Sequence, residues 1–430
     1  MADQKLSLSS AIMININTMI GAGMFINTVT LAAYAGGLCP LSYVLVGLMT
    51  IPLVIAFAVL LDVHGEGSFF TIIRDELGAL MGFVGTWIFF ISRSAVLGLL
   101  VHFNMAILQE LFVGLKQYPI MALDFIFLAF LVCINLLNMR VGSGLQILFT
   151  AVKIAAAAVI IALGIWYFNT ANFVLSQLKF SGLALTIPIA LFAYLGFDVT
   201  VSLSKHIENP KRNGPRAMLY SYIIVVAVYC IYQLCYYAAL DLSLFAASNG
   251  TISSVIPLFI QSTVKSPVVI SILNVCVWLS AFSATYGIMF GNIWNLHALT
   301  ENKLFVGSEL LATKNSAGVA SRCLFIEALI CAATLFFGGS ATLELIGVLG
   351  SSIVYAFSMW AFLRVARRKT RVAWHSVIAI LSLAVCGVYL VTGVQGLMKE
   401  GGSALLYLVL GITLFGVVLY VIRQRKPASA

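Results

Sequence analysis

The stretch NTMIGAGMFIN, Asn17 to Asn27, decides how this chain is read. It falls inside an apolar run over residues 8–33, long enough for a membrane-crossing helix of about 20 residues. Yet it sets Gly21 and Gly23 in the middle of that run, where glycine weakens helical backbone. Lipid supplies no hydrogen bonds, so N–H and C=O groups freed at that depth are costly unless they line a cavity or meet a ligand. A Gly-x-Gly pair alone is commonly a close-packing surface between helices. A second interruption tips the balance toward a site: Tyr194-Leu195-Gly196-Phe197-Asp198, in the run 183–203, carries an acidic residue.

The rest of the chain leaves one structural class. Its 430 residues are 62% hydrophobic and only 9% charged, far from the soluble average. Runs of spanning length recur over 8–33, 40–61, 79–108, 121–138, 144–168, 183–203, 217–240, 268–297, 321–338, 342–364, 372–395 and 403–423. They predict an all-α integral membrane protein of twelve transmembrane helices and not a barrel. The first run is too long for a signal peptide's apolar region and has no clear cleavage site, so it is expected to remain. The polar stretches 241–267 and 298–320 read as connectors, leaving a single transmembrane domain over 1–430.

The net charge of +9 is explained by topology rather than by nucleic acid. Of the 24 Lys and Arg, 18 fall in segments on one side, notably Lys205 to Arg216, Arg364 to Arg371 and Arg423 to Lys426. Four fall on the other (Lys116, Lys179, Lys265, Lys399), and Arg93 and Lys153 lie within runs. This positive-inside bias predicts a multi-pass protein of the cell inner (cytoplasmic) membrane with both termini cytoplasmic. The eight cysteines are scattered without a Cys-x-x-Cys pair, so neither a disulfide nor a metal site is expected. The histidines (His64, His102, His206, His297, His375) do not cluster, which argues against a membrane-embedded enzyme. No Walker pattern is present, and no cofactor is expected.

If runs one to five and six to ten form two halves, the interrupted runs hold matching positions, which points to a secondary transporter's binding site. At the first break, freed amides stand at the N-terminus of the second half-helix, where the helix dipole favours an anion such as a carboxylate. At the second, freed carbonyls accept from an ammonium. Together they suit an α-amino acid, whose two charged ends lie side by side.

At these residues the sequence resembles the amino acid–polyamine–organocation (APC) superfamily of permeases. IGAGMF at 20–25 and AYAGGL at 33–38 are similar to that family's first helix. LFAYLGFDVTVSLSKHIENPKRNGPRA at 191–217 looks like its sixth helix and following loop, and INLLNMRVGSGLQILFTAVKIAA at 134–156 resembles its fourth loop and fifth helix. Within the superfamily, the basic amino acid/polyamine antiporter group looks most similar. The sequence departs from many relatives in HGEGSFFTIIRDELG, with Phe69 and Thr71 where a proline and paired tyrosines are common, and in GNIWNLHALTENKLF after the eighth run.

The resemblance implies a LeuT-like 5+5 inverted repeat with discontinuous helices 1 and 6. The first repeat would occupy 1–168, the second 183–364, and two peripheral helices 372–423. It also implies substrate binding at mid-membrane by Ile20, Gly21, Ala22 and Gly23 with Phe192, Ala193, Tyr194, Leu195 and Asp198, Phe192 acting as an aromatic lid.

Ionisable residues at membrane depth cost about 2.5–3.5 kcal/mol on insertion scales, so each is a candidate for function. Asp198 is placed to cap freed amides, relay a proton or attract a cation; a helix-capping carboxylate is the structural alternative. For Lys153 the resemblance implies a cation-like position that couples transport to protons, against snorkelling toward the loop at 139–143. Arg93 needs an anion, either Asp198 or an acidic group of the substrate, which the family's small or neutral residue at that place would not. Glu327 and Glu344 lie near run ends and are expected to reach water.

The function expected is secondary active transport of amino acids or related amines by alternating access, with protons or a counter-substrate as the coupled species. A polyamine or cationic amino acid antiporter and a non-transporting amino-acid sensor of the same fold are the alternatives. The further partners expected are membrane lipid and a second copy of the chain as a homodimer.

Overall fold

A computed structural model describes residues 5–65, 67–137, 139–173, 178–239, 267–336, 340–368 and 374–425. The connector expected at 241–267 lies almost wholly outside the described residues. Within them the regular structure is helical, with only isolated bridges at Leu6–Ile207 and Gly36–Leu178.

The first apolar run is two helices, α1 (Leu8–Met19) and α2 (Ala22–Ala35), separated at Ile20–Gly21. Helix α3 (Cys39–His64) carries Pro52 in its interior. The short α4 (Phe69–Leu77) is set by a reciprocal cap, in which Ser68 accepts from the Thr71 amide while Thr71 Oγ1 accepts from the Ser68 amide at 2.7 Å. Thr71, a departure from the family pattern, therefore has a local structural reason. Helix α4 buries Phe69, Phe70, Ile72 and Ile73 and leaves Arg74, Asp75 and Glu76 for its neighbours.

Then come α5 (Ala79–Leu111), α6 (Ile120–Asn135), α7 (Met139–Trp166), α8 (Leu183–Tyr194) and α9 (Val199–Ser202). The sixth run thus continues for four helical residues after its break, one short of the five expected to residue 203, before a 3-10 turn over Ser204–His206. β-branched Val199, Thr200 and Val201 are weak helix formers. Ser202 and Ser204 spend their hydroxyls elsewhere, on Asn295 and on the Gly67 carbonyl.

Helices α10 (Pro210–Ala238), α11 (Pro267–Glu301), α12 (Ser308–Leu311), α13 (Ser321–Thr334) and α14 (Ser340–Arg368) follow, then α15 (Trp374–Arg425). Among the described residues nine stretches are long and apolar enough to cross a membrane. The first run is excluded by its break, and α6 and α13 by their 16 and 14 residues.

As a straight rod, the 52 residues of α15 would reach about 78 Å, more than twice a bilayer's apolar core. Contacts fold it back instead. A Cβ on Gly396 would touch Leu345 of α14, and one on Gly416 would touch Trp87 of α5. Arg423 binds Glu309 at 2.7 Å, at the same end of the bundle where Arg368 meets Glu76 and Lys205 meets Glu301. The two apolar segments are Trp374–Lys399 and Ser403–Arg425, the second only 6% buried and so at the bundle's margin. By contrast α5 is 89% buried along its apolar stretch and forms the axis around which the site is built.

Candidate functional site

The two breaks face each other. Leaving α1, Ile20 turns out of helical geometry (ψ 85°) and Gly21 is extended, with no side chain to cap the leading amides of α2. In the other break Gly196 has φ +123°, a conformation that L side chains rarely adopt, and a Cβ there would lie 3.0 Å from the Thr18 carbonyl carbon. A Cβ on Gly23 would sit 3.3 Å from Ala193 Cα and 3.5 Å from the Phe192 ring. The glycines therefore let two main chains touch where their helices stop.

Side chains from neighbouring helices take up carbonyls at the breaks. Lys153 of α7, fully buried, donates from Nζ to the Asn17 carbonyl at 2.8 Å and also to the Ile20 carbonyl. It points to the break and does not snorkel. The Tyr229 hydroxyl of α10 reaches the carbonyls of Met19 (2.5 Å) and Ala193 (2.9 Å), one on each broken helix. Nothing in the local sequence around Tyr229 breaks the apolar pattern. A signal existed, since Tyr222, Tyr229 and Tyr236 recur every seven residues on one face of α10, and all three are buried.

Arg93 and Asp198 form a buried pair, with Nη2 to Oδ1 at 2.7 Å. The guanidinium lies over the Phe89 ring at 5.0 Å, and Asp198 Oδ1 also accepts from the Gly196 amide. Asp198 thus satisfies a freed amide inside the break and makes no cap bond to α9, which sets aside the capping alternative.

Two hollows adjoin the pair. One is bounded by Gly21, Gly23, Phe192, Ala193, Leu195 and Arg93, among others. The second is bounded by Arg93, Asp198, Ser202, Asn292 and Asn295 with apolar neighbours. Thr18, Arg93 and Ile288 border both.

Not every residue expected at the site lines these spaces. Tyr194 points away, donating to the Tyr43 carbonyl of α3 at 2.9 Å. Ile20 is fully buried, and its carbonyl receives Lys153. Ala22 opens α2.

The floor of the second hollow comes from residues that periodicity did not mark. Ser202 Oγ donates to Asn295 Oδ1 (2.9 Å), Asn295 Nδ2 to Asn292 Oδ1 (3.1 Å), and Asn292 Nδ2 to Glu327 Oε1 (2.8 Å). Glu327 does not reach water as expected: it is fully buried on α13, held against α11 by Asn292. Glu344 is only partly enclosed, with its Oε1 buried.

The amino acid permease family model matches residues 6–422. Among characterised relatives, the chain is similar to the serine/threonine exchanger SteT of Bacillus subtilis, at 27% identity over 53% of each chain. It is 26% identical to the human b(0,+)-type amino acid transporter 1, over 55% of this chain and 52% of that one. It is 28% identical to the human large neutral amino acids transporter small subunit 2, over 57% and 49%. The chain spans about half the length of the curated relatives it matches.

Proposed function

We propose, since this chain belongs to the amino acid permease family, that it is a secondary active transporter of amino acids working by alternating access. The observation that carries the reading is the contact between the two helix breaks, where Gly23 meets Ala193 and Tyr229 spans both. The uncapped amides opening α2 face the space beside Phe192 and Ala193 and suit a carboxylate; the main chain of the second break suits an ammonium. In this reading α1 to α7 form one half of a five-plus-five inverted repeat and α8 to α14 the other. The two segments of α15 complete twelve crossings, with both termini in the cytoplasm.

Counter-substrate exchange and proton coupling are both compatible with this site. Lys153, whose ammonium occupies carbonyls beside the first break, is the proposed coupling group, and Asp198 in the second break is the other candidate. The buried Arg93–Asp198 pair weighs against a dedicated polyamine carrier, since a second cation would have to displace or face a guanidinium.

The test is counterflow in proteoliposomes loaded with a mixture of unlabelled L-amino acids, with labelled L-serine, L-leucine or L-lysine outside, with and without a pH gradient. Accumulation of a tracer supports transport, and its response to the gradient separates coupling from exchange. Saturable binding without any flux would replace the transporter by a sensor.

A further inference from the structure

Building on the transport reading, we propose that the hollow around Arg93 and Asp198 receives the substrate's side chain. There it selects neutral hydrogen-bonding side chains, those carrying a hydroxyl or carboxamide, over apolar isosteres and over charged ones. The first hollow is bounded by the main chain of both breaks, so the zwitterion belongs there. Thr18, Arg93 and Ile288 border both hollows, which leaves the second as the direction open to the side chain.

Two properties of this second hollow set its selectivity. Its formal charges cancel, since Arg93 and Asp198 are paired at 2.7 Å. An added side-chain carboxylate would face Asp198, and an added ammonium would face Arg93, each in a low-dielectric site where like charges are heavily penalised.

Its polar groups are also incompletely matched. Asp198 Oδ2 is buried without a well-formed hydrogen bond, and the Tyr355 hydroxyl stands beside the pair, interacting with both of its members. Arg93 carries five N–H donors, one given to Asp198 and another within reach of the Tyr355 hydroxyl. Ser202, Asn292 and Asn295 supply further polar atoms at the floor. A hydroxyl or carboxamide both donates and accepts, so it answers these groups. An aliphatic side chain of the same shape would bury them unanswered.

The experiment uses the purified full chain in detergent or nanodiscs, with dissociation constants read by isothermal calorimetry or ligand-induced thermal shift. Two isosteric pairs decide it: L-threonine against L-valine, and L-glutamine against L-glutamate, with L-lysine as the cationic arm. We expect L-threonine to bind at least about tenfold tighter than L-valine, and L-glutamine at least about tenfold tighter than L-glutamate and L-lysine. Equal or tighter binding of valine or glutamate overturns this selectivity while leaving the transport reading intact. If no L-amino acid of any class binds, the transport reading fails and the selectivity falls with it. The double variant Arg93→Met, Asp198→Leu removes the pair without stranding one charge, and should bring the threonine-to-valine ratio within about threefold. A ratio unchanged in a folded double variant would move the discrimination away from the pair; should it not fold, the wild-type ratios still decide.

Discussion

At the residue scale, the two side chains that hold the breaks together make separable predictions. Tyr229 shares one hydroxyl between Met19 of α1 and Ala193 of α8. Tyr229→Phe keeps the ring and removes only that tie, worth about 0.5–1.5 kcal/mol per bond. Amino acid affinity should therefore drop several-fold with little change in expression, and a variant binding as tightly as the parent would exclude a role for the tie in the site. Lys153→Met instead bares two buried carbonyls and removes a charge. The expected result is a lower thermal midpoint, from a loss of about 1–3 kcal/mol, together with uptake that no longer responds to an imposed pH gradient. A midpoint lowered with the gradient response intact would leave Lys153 a structural role only. Lys153 and Asp198 were conspicuous in the sequence because charge inside an apolar run breaks the pattern around it. Tyr229, Asn292 and Asn295 were not: tyrosine and asparagine are unremarkable in membrane helices. Whether they face lipid or a hollow depends on helix rotation, which nearly uniform apolar runs do not encode.

At the scale of elements, both interruptions were legible because glycine and polar residues inside long apolar runs contradict the local preference for helix. The second part of the sixth run was expected to stay helical to residue 203, and α9 covers Val199–Ser202 before the chain tightens into a 3-10 turn over Ser204–His206, where Asn295 and the Gly67 carbonyl take up the hydroxyls of Ser202 and Ser204. The paired breaks also predict how the elements respond to crowding. Gly23→Leu would drive a side chain into Ala193 Cα and the Phe192 ring, now 3.3 and 3.5 Å from where a Cβ would stand. Insertion and helix content should survive, because α2 remains apolar, while binding of every amino acid is lost together. Wild-type affinity in Gly23→Leu would remove the carboxylate from this end of α2.

At the scale of the whole molecule, the direction of the last helix fixes the parity of the crossings. The hydrophobic pattern separated residues 372–395 from 403–423, but pattern alone does not say whether the second segment continues outward or turns back. Gly393 and Gly396 pack on Leu349 and Leu345 of α14, whereas Tyr420 packs on Phe83 (5.1 Å between rings) and Arg423 on Glu309. Those last contacts belong to the end of the bundle where Arg74 meets Asn302 and Arg368 meets Glu76. That end also carries most of the basic residues, so the positive-inside rule assigns it to the cytoplasm. Lys399 and Arg425, both exposed, should then lie on opposite sides of the membrane. In a background with the eight cysteines replaced, Lys399→Cys should react with an impermeant maleimide on intact cells, and Arg425→Cys only after permeabilisation. Labelling of both from the same side would break the hairpin and the even number of crossings. The reverse assignment, with Arg425→Cys labelled outside, would turn the molecule over and place the Lys205–Glu301 end toward the exterior.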